Sequence, residues 1–199
     1  MSQVLFRLSV QRLLERKGAA RRAEIFREAG CDVSPIEHPI SLGPKSVNSR
    51  AAREALQRWA PEAVILHGTR IVGKRTLRCV DVPWINIHAG VTPTYRGVHG
   101  GWWALAEQRP EAFGATVHLV DEGIDTGGIL RQPRVMPSPE DHFGTYPTLQ
   151  FCVALEALLE LLEEGPPFVA SPAVEPEHKL RYHPTLGQYV RSRWMFGVR

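Results

Sequence analysis

Asn86 and His88 stand two residues apart in the run Pro83-Trp84-Ile85-Asn86-Ile87-His88. If that run is a strand, both side chains leave the same face. Asp125 sits in the stretch Asp121–Gly128, beside Gly123, Gly127 and Gly128. A turn of that composition could bring a carboxylate to the end of a neighbouring strand. An amide donor, an imidazole and a carboxylate together suit acyl transfer without a covalent enzyme intermediate. Asn86 can donate to a carbonyl oxygen that becomes an oxyanion. His88, held or charged by Asp125, can do the same and can pass a proton. No Ser or Cys occupies a GxSxG nucleophile elbow, so the nucleophile would be the acceptor substrate itself, an amine above all. Spacing alone also admits a core histidine, a loop-satisfying asparagine and an Asx-turn aspartate.

The elements that must position these residues are legible. Ala63-Val64-Ile65-Leu66 is a short continuous apolar run, as in a buried parallel strand. Pro83–His88 gives a second strand, Gly114–Val120 a third and Ile129–Val135 a fourth. The tight turn before the fourth favours an antiparallel pair. Helices are expected over Arg50–Trp59, capped by Asn48 or Ser49, and over Lys74–Cys79 and Val98–Glu107. The clearest helix runs from Thr145 to Glu164, with Phe151, Cys152, Leu155, Leu158, Leu159 and Leu162 on one face. Strands alternating with helices predict an open, mostly parallel, twisted α/β sheet flanked by helices. Ligands of such sheets bind at the carboxyl ends of the strands, which directs attention to Leu66–Val72, His88–Gly97 and Asp121–Gly128.

Three regions follow: a basic helical segment over 1–30, the α/β domain over 31–165, and a Pro-rich tail over 166–199 that lacks strong periodicity and is expected to wrap the surface. The first carries seven Lys/Arg between Arg7 and Arg27 against Glu15 and Glu24. We read it as a solvated helix packed on its own domain rather than a membrane or nucleic-acid helix, since no aromatic residues interleave for base stacking. The net charge of +3 is a weak pointer to an anionic ligand, and nucleic acid is not expected. No apolar run is long enough to span a membrane. Cys31, Cys79 and Cys152 are odd in number, far apart and form no CxxC, so reduced thiols in the cytoplasm are the simplest reading. No tight ligand spacing suggests a metal.

Asn86-Ile87-His88 followed by Thr92-Pro93-Thr94-Tyr95-Arg96-Gly97, and then the stretch Thr116 to Leu130, resemble the signature loops of folate-dependent formyltransferases. The family's Asn and His two apart, and its Asp in the later loop, match Asn86, His88 and Asp125. The resemblance spans roughly residues 62–135 and implies a Rossmann-like formyltransferase fold. It further implies 10-formyltetrahydrofolate as donor and formyl transfer to an amine of a small-molecule acceptor, an amino-sugar nucleotide being one candidate. The alternatives are glycinamide ribonucleotide formylation, hydrolysis of the formyl donor, and a catalytically silent folate-binding module. By the same resemblance Arg70, Ile71 and Val72 line the pterin pocket, the backbone bonding the pterin edge. Asp121, Glu122, Gly123 and Ile124 belong to the loop that closes over the ring. His118 takes a supporting place, Arg96 could meet an anionic acceptor, and Trp102 or Trp103 could stack on one. A homo-oligomer stays open.

The chain departs from the family pattern at two places. Val4–Leu14 is the only early apolar stretch, and no Gly-Ser or Gly-x-Gly turn follows it. The opening strand and its phosphate cradle are therefore expected to be absent or different, which disfavours glycinamide ribonucleotide as acceptor. The loop His88-Ala89-Gly90-Val91-Thr92-Pro93 differs from the Ser-Leu-Leu-Pro of methionyl-tRNA formyltransferases, and the stretch after Val135 is short for their C-terminal barrel. Both features disfavour tRNA.

Overall fold

The computed structural model describes residues 2–36, 43–172 and 180–199. Helices α1 (Ser2–Phe6), α2 (Arg12–Lys17) and α3 (Ala19–Glu28) open the chain, with a π-helical turn over Arg7–Gln11. They are followed by α4 (Arg50–Trp59), β1 (Val64–His67), α5 (Lys74–Leu77), β2 (Trp84–His88) and α6 (Gly100–Ala106). Then come β3 (Thr116–Leu119), β4 (Ile129–Arg131), α7 (Tyr146–Glu164) and α8 (Leu186–Phe196). Ser49 caps α4, its side chain accepting from Ala52 N, and Ala60 closes that helix in the left-handed region just before Pro61.

The sheet runs β1-β2-β3-β4. It is an open α/β sheet, but mixed rather than mostly parallel. β1 and β2 are parallel, whereas β2–β3 and β3–β4 are antiparallel. The reason lies between β2 and β3. His88, at the end of β2, faces Thr116, at the start of β3. The excursion through α6 thus leaves and re-enters at one end of the sheet instead of crossing back along it. No strand precedes β1 among the described residues.

Alternation along β2 divides the sheet into two faces. Ile85 and Ile87 join Ala115, Val117 and Leu130 against Ala154, Leu158 and Leu161 of α7. The opposite face carries Asn86, His88, Thr116 and His118. On α7 the buried stripe combines Leu158 and Leu161 with Ala154 and Ala157, while Leu159 and Leu162 of the expected face are exposed. Small residues let the helix axis approach the sheet, and close packing outweighs the larger hydrophobes.

The two ends of the chain share one aromatic core. Phe6, Trp102, Phe143, Tyr146, Tyr189 and Val198 cluster, with Phe6 and Phe143 edge to face at 5.0 Å. The tail does not simply wrap the surface. Thr185 and Gln188 form a reciprocal capping box that starts α8, and the T-x-x-Q pattern that signals it is present in the sequence. The basic N-terminal segment is docked as well. Arg22 Nη1 donates to Gly144 O at 3.2 Å, and Arg21 Nε donates to Asp141 Oδ1 at 3.0 Å. No helix of the described residues is long and apolar enough to cross a membrane.

Asp141 is the buried polar anchor of this docking, its side chain 1% exposed. It accepts from Arg21, from Ser138 N at 2.8 Å and from Thr145 Oγ1 at 3.4 Å. Burial pushes its carboxyl up, but Arg21 and Ser138 pull harder, and it lies below the ordinary aspartate value. Its contribution is therefore complete above about pH 4, the unfolded carboxylate range, and is lost as pH falls through the lower folded value. Asp141→Ala is expected to cost about 2–3 kcal/mol, the worth of hydrogen bonds to a charged group, and to flatten the acid side of the stability profile. Urea unfolding followed from pH 7 down to pH 3 measures both.

Candidate active site

Asn86 and His88 leave β2 on the face opposite α7, and β3 brings His118 alongside Asn86. The loop after β2 is tied back over this face. Thr116 Oγ1 donates to Gly90 O at 2.7 Å and accepts from Thr92 N at 3.1 Å. At Gly90 an added Cβ would lie 2.3 Å from Tyr95 O and 2.7 Å from His88 Nε2. Glycine is thus required for the Tyr95 carbonyl to reach the imidazole.

The carboxylate reaches His88, at the end of β2, from a loop that starts beside the other end of that strand. Val120 N donates to Trp84 O at 2.8 Å, at the start of β2. The loop then folds back over the face instead of ending at the strand terminus. Asp121 Oδ1 accepts from Gly123 N at 2.9 Å and from Thr126 Oγ1 at 2.7 Å, which closes the turn. At Gly127 a Cβ would lie 1.7 Å from Leu119 O. Asp125 stands in the left-handed region, φ 52°, with Oδ2 accepting from Gly97 N at 2.9 Å. Arg96 Nη1 donates to Ile124 O at 3.1 Å, binding the two loops together; its guanidinium serves the loop through this contact.

The three side chains converge. His88 Nδ1 lies 3.3 Å from Asp125 Oδ2, and His118 Nε2 lies 3.7 Å from Asp125 Oδ1. His118 Nδ1 faces Leu119 O at 2.7 Å. A carbonyl only accepts, so that nitrogen carries the proton. The ring's Nε2 meets the Asn86 amide Nδ2 at 3.1 Å. His118 thereby fixes which way the Asn86 amide points, leaving its second N–H for a ligand. Both nitrogens of His88 face acceptors, the carboxylate and Tyr95 O at 2.9 Å. Burial pulls His88 below its ordinary value, and Asp125 and the Tyr95 carbonyl oppose this only in part. Burial pushes Asp125 up, but His118, His88 and the Gly97 N–H outweigh it and hold the carboxyl below its ordinary value. Near neutral pH the pair is a neutral imidazole beside a carboxylate, an arrangement suited to accepting a proton.

These groups open into a cleft of about 580 Å³, within the range of small-molecule sites. Arg70, Ile71, Val72, Asp121, Gly123 and Ile124 line it, and Leu66 and Val120 add apolar wall. Glu122 does not line it. Its carboxylate turns to Lys74 and to Arg78, 2.8 Å away, and ties the loop to α5. Sequence reasoning took Asn48 as a possible helix cap. In the structure Asn48 Nδ2 donates to Ile71 O at 2.9 Å, and its Oδ1 accepts from Gly73 N at 2.7 Å. It therefore holds the 70–73 wall in place. Its being one of only two asparagines in the chain was the available signal. Trp102 is buried in the aromatic core, while Trp103 Nε1 donates to Tyr182 O at 3.0 Å. His99 turns away from His88 to pair with His183 at 2.9 Å.

A family model for formyl transferases matches residues 10–148. Methionyl-tRNA formyltransferase of Desulfotalea psychrophila is 34% identical over 140 residues, 70% of this chain and 41% of that protein. Its counterpart in Anaeromyxobacter dehalogenans is 33% identical over 151 residues, 73% of this chain and 48% of that protein. The chain thus spans less than half the length of these two relatives. Among solved structures, a sugar N-formyltransferase from a Shewanella species superposes with TM-score 0.54 at 23% identity, over 73% of this chain and 64% of that one. HypX from Aquifex aeolicus, solved with tetrahydrofolic acid, gives 0.51 at 19% identity, over 65% and 23%. At those identities the likeness concerns the fold. The family model and the sequence relatives go further, and with them the chain belongs to the formyl transferase family.

Proposed function

We propose that this chain transfers a formyl group from 10-formyltetrahydrofolate to the amine of a small-molecule acceptor, with Asn86, His88 and Asp125 as the reacting groups. The observation that carries the reading is their convergence in one cleft, within a family of formyl transferases. The donor's flat ring system suits the apolar wall of Leu66, Val72 and Val120. Its polar edge suits the backbone of Arg70–Val72, which lies in neither helix nor strand. The Asp121–Ile124 turn would cover it. As the amine nitrogen bonds to the formyl carbon, negative charge builds on the formyl oxygen, where the free Asn86 N–H donates. His88 accepts the proton shed by the amine at Nδ1, the nitrogen beside Asp125 Oδ2, while Nε2–H stays on Tyr95 O, and Asp125 stabilises the resulting imidazolium. The bond from the formyl carbon to the donor nitrogen then breaks, and that nitrogen takes its proton from the His88 imidazolium.

An amino-sugar nucleotide is the acceptor we favour, on the loop sequence after His88 and the sugar N-formyltransferase fold. Methionyl-tRNA is the competing acceptor, favoured by the sequence relatives. We read the protein as cytoplasmic, supported by its three free cysteines.

Tetrahydrofolate release, followed with each acceptor in turn, decides between them. Asn86→Ala is expected to lower kcat roughly 100- to 1000-fold, the cost of one oxyanion donor, with donor affinity retained. Parent-like turnover in that variant would remove Asn86 from the reaction. The acid limb of kcat/KM is expected below about pH 6.5, the ordinary histidine value, because His88 is depressed. Asp125 raises His88, so Asp125→Asn should shift that limb further down as well as slow the reaction. A limb at or above the ordinary histidine value would contradict the assignment of His88 as base.

A further inference from the structure

The stretch Leu180–His183 lies beyond the residues the family model matches, yet it forms one wall of the cleft. It is fastened there by backbone. Arg181 N donates to Arg96 O at 2.9 Å, and Val98 N donates to Arg181 O at 3.1 Å, a parallel bridge onto Gly97. The approach is so close that a Cβ at Gly97 would lie 2.2 Å from the Arg181 carbonyl oxygen. Side chains add to the hold. Arg181 Nη1 lies 2.7 Å from a Glu107 carboxylate oxygen, and its guanidinium sits over the rings of Tyr95 and Trp103. Trp103 binds the Tyr182 carbonyl, and His183 pairs with His99. The same strip, through Gly97 N, holds Asp125. One stretch of backbone therefore sets both a reacting carboxylate and this wall.

Neighbouring side chains of an extended segment point to opposite sides. With Arg181 committed to Glu107, Tyr182 is left on the other side, 61% exposed on a pinned backbone. The charge on this wall is neutralised by Glu107, so the wall presents an aromatic face rather than a cation. The donor-side wall, Arg70–Val72, is built from a different part of the chain. We propose that Leu180–His183 is the acceptor wall of the cleft and that Tyr182 is a specificity-determining residue, selecting amines carried on a ring whose uncharged face can pack on its own. The inference rests on the formyl-transfer reading above.

The test is steady-state formylation at saturating 10-formyltetrahydrofolate, with an amino-pyranose, free and nucleotide-linked, set against ethanolamine as a ringless amine. Tyr182→Ala should raise KM for the amino-pyranose roughly tenfold, the scale of one lost aromatic contact. Its kcat and its KM for ethanolamine should stay near those of the parent. Tyr182→Phe should retain the parent KM, which a merely structural hydroxyl contact would not predict. The thermal shift given by tetrahydrofolate should be the same in all three proteins. Equal amino-pyranose KM in Tyr182→Ala and parent would overturn the wall assignment alone. Loss of the tetrahydrofolate shift in that variant would put Tyr182 on the donor side and overturn it too. A parent that binds tetrahydrofolate but formylates no amine would bring down the transfer reading, and this inference with it.

Discussion

A central strand of an open sheet has two faces, and β2 uses them for opposite purposes. Ile85 and Ile87 are buried against α7, which fixes the register of the strand, since a slip by one residue would put the isoleucines where Asn86 and His88 now stand. The polar face then has to be satisfied. His118, the Tyr95 carbonyl and Asp125 supply partners to the two residues. An unpaired amide or imidazole in that position would be costly to bury. The apolar packing of one face and the paired polar groups of the other are therefore a single constraint.

The loops obey the same economy. Gly90, Gly97 and Gly127 stand where another stretch of backbone comes too near for a Cβ. Each close approach delivers something to the site: the Tyr95 carbonyl to His88, the tail to the cleft wall, and the Asp125 turn to the sheet. Thr116 and Asp121 close those loops with side-chain hydrogen bonds. Loops closed in this way hold a carboxylate and an imidazole in register.

Burial and charge pull in opposite directions on the His88–Asp125 pair. Desolvation favours the neutral form of each group, and their mutual attraction favours the charged forms. For Asp125 three donors tip the balance to carboxylate, whereas for His88 burial prevails. The outcome is an imidazole held below its ordinary value beside a carboxylate held below its own. The N-terminal segment shows a related balance away from the site. Two of its basic residues, Arg21 and Arg22, dock it onto Asp141 and Gly144.

The sequence by itself determined the strands, the start of α4 and the residue types at the site. Strand alternation and turn composition are local, and Asn86, His88 and Asp125 stood out because an amide and an imidazole two apart in an apolar run demand partners. The family resemblance over the middle of the chain was legible for the same reason, in short ordered motifs. What only the tertiary structure decided is non-local. The antiparallel return of β3, the choice of Ala154, Ala157, Leu158 and Leu161 as the buried face of α7 and the turning of Glu122 outward to α5 depend on which surfaces meet. So do the delivery of Asp125 by folding back over the sheet and the use of the tail as a cleft wall. Periodicity reports which face of an element is apolar, but not what comes to rest against it, because that is set by the sum of close packing over residues far apart in the chain.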